Sequence, residues 1–317
     1  MDIENHLPAE LSRISKLDTA IPKIAKDEKL LSVINQTLRS LPTEHDFYRA
    51  DSCKASFVQP NSVHLVLTSP PYWTLKRYRD SKGQLGHVSD YNEFLAELDK
   101  VWKICFEALV PGGRLICVVG DVCLSRKNNN GEHTVVPLHA SIQEHCRSIG
   151  FSNLAPIIWY KISNATYEVQ GNSRFLGKPF EPNAIIKNDI EYILMLRKPE
   201  GYRSPSKAKR MLSIISDTDH KIWFQQIWNG LNGTSTKEHP APFPVSLADR
   251  LIRMFSFAGD VVLDPFMGSG TTSIAAALSG RNSIGIEIDP VYFEMSVNRF
   301  NKETKTLFSN TILRDHA

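Results

Sequence analysis

The 317-residue chain predicts a doubly wound α/β sheet, and three stretches carry that expectation. The apolar run Val261–Leu263 ends in Asp264 and the turn Pro265-Phe266-Met267-Gly268-Ser269-Gly270. That turn opens onto Thr271, Thr272 and the helix-forming run Ser273–Leu278, which together make a buried strand, a tight turn and a helix. About 20 residues on, Ser283–Ile288 reads as a second short strand ending near Glu287, where such sheets carry a ribose-binding acid. The third stretch is Val63–Leu67, an apolar run that delivers Thr68-Ser69-Pro70-Pro71-Tyr72. Two consecutive prolines cannot continue a sheet ladder, so the strand stops there and its last side chains enter the crevice at its carboxyl end. The glycine turn lacks the Gly-Lys-Ser/Thr of a phosphate loop, and a nucleoside without phosphates fits it better than a nucleoside triphosphate.

Taken in order, residues 1–45 place Leu11, Ile14, Leu17, Ile21 and Ile24, then Leu30, Leu31, Ile34, Leu38 and Leu41, at spacings of three and four. This predicts two helical segments broken near Pro22 and Asp27. They form either an appendage covering one face of the core or a DNA-clamping or dimer-forming element. Phe47–Ala50 reads as a short strand ending at Asp51. Tyr91–Leu109 reads as a helix stopped by Pro111-Gly112-Gly113, followed by a buried strand over Arg114–Gly120. Val135–Ser148 reads as a helix, Asn153–Lys161 and Glu191–Arg197 as strands, and Ser246–Phe257 as an amphipathic helix. Residues 163–190 and 201–244 lose clear periodicity and are rich in Asn, Gly, Pro, Ser and Lys, which marks them as irregular inserts in a domain spanning 46–300. Residues 301–317 form a tail.

Composition narrows the class. With 42% hydrophobic and 22% charged residues, the chain reads as an ordinary soluble globular protein, and no apolar run approaches the roughly 18 to 20 residues needed to span a bilayer. The start of the chain, Met1–Glu10, lacks the basic and apolar pattern of a secretory signal. Five cysteines without a CxxC pair predict reduced thiols in a cytoplasm-like compartment, with neither disulfides nor a zinc cluster. A net charge of +3 does not by itself define a nucleic-acid partner; the local distribution says more. Lys76, Arg77, Arg79 and Lys82 face only Asp80 in the loop after the prolines, and Arg203, Lys207, Lys209 and Arg210 lie in a run without any acid.

Asp264-Pro-Phe-Met-Gly-Ser-Gly-Thr-Thr272 resembles the S-adenosylmethionine loop of the DNA amino-methyltransferases, and Thr68-Ser69-Pro70-Pro71-Tyr72 resembles their catalytic tetrapeptide with its usual preceding Thr. The catalytic motif precedes the cofactor motif, as in the circularly permuted beta group, and the likeness spans roughly residues 46–300. It implies a Rossmann-like methyltransferase fold with a seven-stranded, mostly parallel sheet containing one antiparallel member. It also implies S-adenosyl-L-methionine as cofactor, double-stranded DNA as substrate, a bacterial or archaeal cytoplasmic setting, and a cognate restriction endonuclease as a partner. In such a chain residues 46–300 are the catalytic domain, the inserts 163–190 and 201–244 are expected to read the target, and the two basic runs to neutralise DNA phosphates.

The resemblance places Asp264 and the backbone of Phe266, Gly268 and Gly270 around the methionine end of the cofactor, with Thr271 and Thr272 serving as helix caps as well as contacts. Glu287 is expected to accept both ribose hydroxyls, since one carboxylate can satisfy two donors, and Asp51 to lie near the adenine amine. Methyl transfer from a sulfonium to an exocyclic amine is mostly a matter of placement. The amine's lone pair is delocalised into the ring, so acceptors must draw on its hydrogens. Ser69 offers a hydroxyl oxygen, the Pro70 carbonyl, held rigid by Pro71, a second acceptor, and Tyr72 a flat face for a flipped base. Ser-Pro-Pro-Tyr is the form usual in cytosine-N4 enzymes of this family; adenine N6 is the alternative, because a hydroxyl does not by itself select a ring. Cytosine-C5 methylation needs a thiolate normally presented after a proline, and no Pro-Cys occurs here. A non-catalytic nucleic-acid-binding module, or a methylase of RNA or of a protein amide, would share the fold.

Overall fold

The computed structural model describes residues 3–73, 83–124, 129–161, 188–231, 243–305 and 310–316. Among the described residues nine strands form one sheet, which in chain order are β1 (Thr43–Arg49), β2 (Val63–Thr68), β3 (Leu109–Val119), β6 (Ser152–Tyr160), β7 (Ile190–Arg197), β8 (Ile227–Trp228), β9 (Val261–Asp264), β10 (Asn282–Glu287) and β11 (Thr311–His316). Their spatial order is β11-β1-β10-β9-β2-β3-β7-β6-β8. Only β7 runs antiparallel to its neighbours, pairing β3 on one side and β6 on the other. The central strands are buried on both faces, as in the pattern Val63-His-Leu-Val-Leu-Thr68, because helices cover both sides of a parallel sheet.

Two apolar layers result. On one face, α4 (Tyr91–Ala108) and α5 (Leu138–Ile149) pack Phe94, Leu98, Trp102 and Ile142 against Val66, Leu115, Cys117 and Leu194. Asp90 caps α4 by accepting from the Glu93 N–H at 2.8 Å, which satisfies a donor that the first helical turn leaves open. On the other face, α8 (Val245–Phe255) and α9 (Thr271–Leu278) cover Leu65, Leu67, Ile116, Val118 and Val262. The helix α10 (Pro290–Thr304) starts on the Asp289 side chain, which accepts from Val291 N and Tyr292 N; the acid read as a turn former is a helix cap.

The seven-strand expectation is corrected at both edges. The tail 301–317 contributes β11, which pairs in parallel with β1, and the 201–244 stretch contributes β8, which pairs with β6. Pro111-Gly112-Gly113 lies inside β3 instead of ahead of it: Val63 pairs Leu109 while Leu65 already pairs Arg114, so the extra residues bulge from the ladder. Gly112 sits at φ +78, and a Cβ there would come within 2.9 Å of the Gly201 carbonyl oxygen. Helix α5 begins at Leu138, later than expected, because β5 (Thr134–Val136) pairs antiparallel with β4 (Val122–Leu124) in a separate ribbon.

The N-terminal segments form α1 (Ala9–Ser12), α2 (Leu17–Ile24) and α3 (Glu28–Ser40). They do not stand apart: Leu11, Ile24, Ile34 and Leu38 pack with Ala208, Met211 and Leu212 of α6 (Lys207–Leu212), which is followed by α7 (Asp217–Trp223). Residues 201–216 are therefore a docking element for the N-terminal helices, in place of an open insert. The insert expected over 163–190, and residues 232–242, lie almost wholly outside the described residues. No helix among the described residues is long and apolar enough to cross a membrane.

Candidate active site

The carboxyl ends of β2, β9 and β10 meet at a concave cleft, the place where open α/β sheets carry their ligands. Ser69 and Pro71 line it from the loop after β2, Phe266 and Gly268 from the turn after β9, Glu287 from the end of β10, and Asp51 from the end of β1. Stretches nearly two hundred positions apart thus share one wall, because β2 and β9 are neighbours in the sheet. Leu85, Ile286, Ile288 and Tyr292 add an apolar lining.

The two motifs are joined by hydrogen bonds beneath the cavity. Asp264 Oδ1 accepts from Thr68 Oγ1 at 2.7 Å and from the Phe266 N–H at 3.0 Å, while Oδ2 accepts from Thr272 Oγ1 at 2.7 Å. Burial pushes the Asp264 carboxyl up to about 6 despite these three donors. Residues 63–298, both motifs included, match the family model of the N6/N4 DNA methylases.

The chain belongs to the N6/N4 DNA methylase family. It is 36% identical over 280 residues to the type II methyltransferase M.MjaI of Methanocaldococcus jannaschii, covering 78% of this chain and 88% of that one. It is 44% identical over 298 residues to the type II methyltransferase M.BglI of Bacillus subtilis, covering 79% and 82%. Among solved structures it is similar to the DNA modification methylase TTHA0409 from Thermus thermophilus, crystallised with S-adenosyl-L-methionine. That likeness has a TM-score of 0.69 at 48% identity and covers 86% of this chain and 100% of that one.

In this methylase the Glu287 carboxylate is held at the cleft by two backbone donors. Its Oε2 accepts from the Gly268 N–H at 2.9 Å and its Oε1 from the Asp289 N–H at 2.9 Å. Each carboxylate oxygen keeps further acceptor capacity. Burial pushes Glu287 up to about 7, against the pull of those two N–H donors. Asp51 is different. Burial raises it, but hydrogen bonds from Lys54 Nζ at 2.8 Å and the Cys53 N–H at 2.9 Å outweigh burial and hold its carboxyl below the ordinary range. Ser52, not singled out by sequence, donates to the Pro265 carbonyl and so ties the β1 end to the glycine turn. Cys53 also lines the cavity, but burial pushes its thiol up to about 12, which leaves no thiolate nucleophile there.

Three expected cofactor residues stand behind the cavity wall. Asp264 is 2% exposed and committed to Thr68, Phe266 and Thr272. Gly270 adopts φ +78 as the cap of α9, where a Cβ would sit 3.2 Å from Ser296 Cβ. Thr271 Oγ1 accepts from Arg299 Nη1 at 2.9 Å, and the same guanidinium holds the Ser269 carbonyl at 3.1 Å and its hydroxyl at 3.0 Å. Arg299 is therefore a brace for the turn; no local sequence signal marks it, since its partners lie about 30 residues away.

On the catalytic loop, Pro70 is buried and Tyr72 is 3% exposed, with its hydroxyl 3.3 Å from Ser69 Oγ. The Tyr72 ring packs in the apolar layer under α4 and in this conformation offers no open face to a base. The next residue, Trp73, sits at φ +43, an uncommon region for a bulky side chain, with its ring 5.0 Å from Tyr91. Lys76, Arg77 and Arg79 lie outside the described residues. The second basic run is paired within the protein. Arg203 grips the buried Asp260 through Nη1 at 2.5 Å and Nη2 at 2.6 Å, Lys209 Nζ reaches Asp260 at 3.5 Å, Lys207 Nζ donates to the Ser12 carbonyl at 2.6 Å, and Arg210 pairs with Asp18 at 3.0 Å. Asp260 precedes β9, at the end of the sheet opposite the cavity, so these cations bind the protein to itself.

Proposed function

We propose that this DNA methyltransferase transfers a methyl group from S-adenosyl-L-methionine to the exocyclic N4 amine of a cytosine turned out of duplex DNA. The observation that carries the reading is Ser69, the first residue of a Ser-Pro-Pro-Tyr loop, lining the same cavity as Gly268 and Glu287. The cavity's donor set fits the cofactor: a buried carboxylate with acceptor capacity on both oxygens suits vicinal ribose hydroxyls, the lowered Asp51 suits the adenine amine, and Ile286, Ile288 and Leu85 suit the flat ring. When bound, the cofactor supplies an electrophilic methyl group.

The chain's own residues then act by placement. Ser69 Oγ and the Pro70 carbonyl accept the amine's hydrogens and turn its lone pair toward the cofactor cavity. The Thr68–Asp264–Thr272 bonds fix the loop that carries Ser69 relative to the turn that carries Phe266 and Gly268. Apolar walls keep water from the reacting atoms. Base entry requires the Tyr72 ring to leave its packed position, after which its face stacks on the base; stacking of this kind contributes roughly 1–3 kcal/mol.

The test is to express the chain in cells lacking DNA methylation, digest their DNA to nucleosides and identify the modified species by mass. N4-methylcytosine is the expected product. N6-methyladenine would move the acceptor to the other base, and an unmodified digest would overturn the enzymatic reading.

A further inference from the structure

One wall of the cleft comes from a segment that carries no motif. Gly83, Gln84 and Leu85 line it from the chain that follows the Ser-Pro-Pro-Tyr loop. Gly83 lies against two other parts of the lining: at φ +90, the position of its missing Cβ is 2.8 Å from Ile288 Cδ1 and 3.9 Å from Asp51 Oδ2. Leu85 is 7% exposed and packs into the apolar layer under α4.

Gln84 sits between these two anchors. Its carbonyl accepts from the His87 N–H at 3.2 Å and closes the turn Leu85–His87, but its side chain makes no bond to that turn. Among the described residues the half-buried Gln84 carboxamide has no hydrogen-bond partner. A polar group with both ends open, on a backbone held at both sides, is of the kind that fixes a ligand's orientation in an otherwise apolar cleft.

Its chemistry complements that of Asp51. An ionised carboxylate only accepts, so Asp51 can take a hydrogen from an exocyclic amine but has nothing to offer the ring nitrogen beside it. A carboxamide accepts at one end and donates at the other. Adenine presents the matching edge, an amine hydrogen next to a ring-nitrogen acceptor, and Gln pairs with such an edge through two bonds. The amine has two hydrogens directed to opposite sides, each flanked by its own ring nitrogen. Asp51 and Gln84 can therefore take one hydrogen each without competing.

We propose that Gln84 selects the adenine of S-adenosyl-L-methionine, its Oε1 accepting the amine hydrogen that Asp51 leaves and its Nε2 donating to the ring nitrogen next to that hydrogen. This rests on the reading above that puts the adenine beside Asp51.

Calorimetry with S-adenosyl-L-homocysteine, the demethylated product, and with its 1-deaza- and 7-deaza-adenine analogues tests the contact on the wild-type protein. Replacing the contacted ring nitrogen by C–H removes an acceptor, so one of the two analogues is expected to bind roughly three- to tenfold more weakly than the parent compound. Gln84→Leu is expected to bind the parent compound roughly tenfold to a hundredfold more weakly and to bind that analogue as well as the parent. Its melting temperature should be unchanged, because the side chain holds no other part of the protein in place. Wild-type protein that binds all three ligands alike would overturn the proposal, as would a Gln84→Leu variant that keeps wild-type affinity or the wild-type preference among the ligands. Asp51→Ala separates this failure from that of the reading beneath it. Weakened binding in Asp51→Ala with full affinity in Gln84→Leu removes the Gln84 contact alone, whereas full affinity in both variants moves the adenine away from Asp51 and overturns the parent reading as well.

Discussion

Thr68 Oγ1 donates to Asp264 Oδ1 at 2.7 Å across 196 positions of chain, and this bond fixes the Ser-Pro-Pro-Tyr loop to the glycine turn. It recasts the acid of the glycine motif: with all three of its donors internal, Asp264 organises both loops without lining the cavity. Asp264→Asn should therefore be mild. The amide oxygen can keep Thr68 and the Phe266 N–H, and the Thr272 hydroxyl can accept from the amide nitrogen. Asp264→Leu strands three donors and should cost about 1–3 kcal/mol for each one left buried and unpaired. Calorimetric cofactor affinity and kcat for both variants check this; if Asn abolishes cofactor binding while the fold is kept, the carboxylate charge itself contacts the ligand.

In the proposed mechanism Ser69 touches the acceptor amine, while Gly268, Glu287 and Asp51 surround the nucleoside. Ser69→Ala should accordingly abolish turnover and leave cofactor affinity nearly intact. Equilibrium binding of S-adenosyl-L-methionine alongside radiolabelled methyl transfer decides it, and loss of binding would move Ser69 to the other part of the crevice.

Glu287 makes cofactor affinity depend on pH. In the proposed mechanism its ionised form accepts from two hydroxyls, and burial pushes its carboxyl up to about 7. Affinity should weaken as pH falls through about 7 and level off above it, and cofactor binding below that pH should release protons. The same shift has the opposite sense for the ligand-free fold. A folded carboxyl raised above its unfolded value favours the folded state while protonated, so this group's contribution declines as pH rises from the ordinary carboxylate range to about 7. Glu287→Gln should flatten both profiles and bind the cofactor more weakly at pH 8. Titrations and thermal melts across pH 5.5 to 8.5 test the pair of trends.

The parts legible in sequence were those whose signal is local. The run Val261–Leu263 with its glycine turn, the acid at Glu287, and the strand stopped by Pro70-Pro71 each announce themselves within ten residues, and the sheet follows from their repetition. Edge strands escaped because β8 is two residues long and β11 is mostly exposed, so neither has a buried apolar run to read. The inward turn of Asp264, the brace from Arg299 and the burial of Tyr72 depend on partners elsewhere in the chain. The run from Arg203 to Arg210 lacks an acid nearby because its partners, Asp260, Asp18 and the Ser12 carbonyl, lie far along the chain.

The Arg203–Asp260 pair gives a test separating scaffold from DNA contact. Asp260 is fully buried, and besides Arg203 it accepts from the Phe257 N–H at 2.7 Å; burial raises its carboxyl, but Arg203, His64 and the Phe257 N–H together more than offset this and hold it below the ordinary range. Removing one partner of a buried pair typically costs about 3–5 kcal/mol. Arg203→Leu should therefore lower the melting temperature by several degrees and loosen the N-terminal helices, since α6 carries the residues on which they pack. DNA affinity should keep its dependence on salt, because a cation spent on Asp260 releases no phosphate counterions. Arg210→Ala, removing an exposed pair with Asp18, should change stability by less than about 1 kcal/mol. Melting curves and binding isotherms at 50 to 200 mM salt measure both effects; a salt slope reduced by about one unit in Arg203→Leu, with stability unchanged, would return this run to the DNA interface.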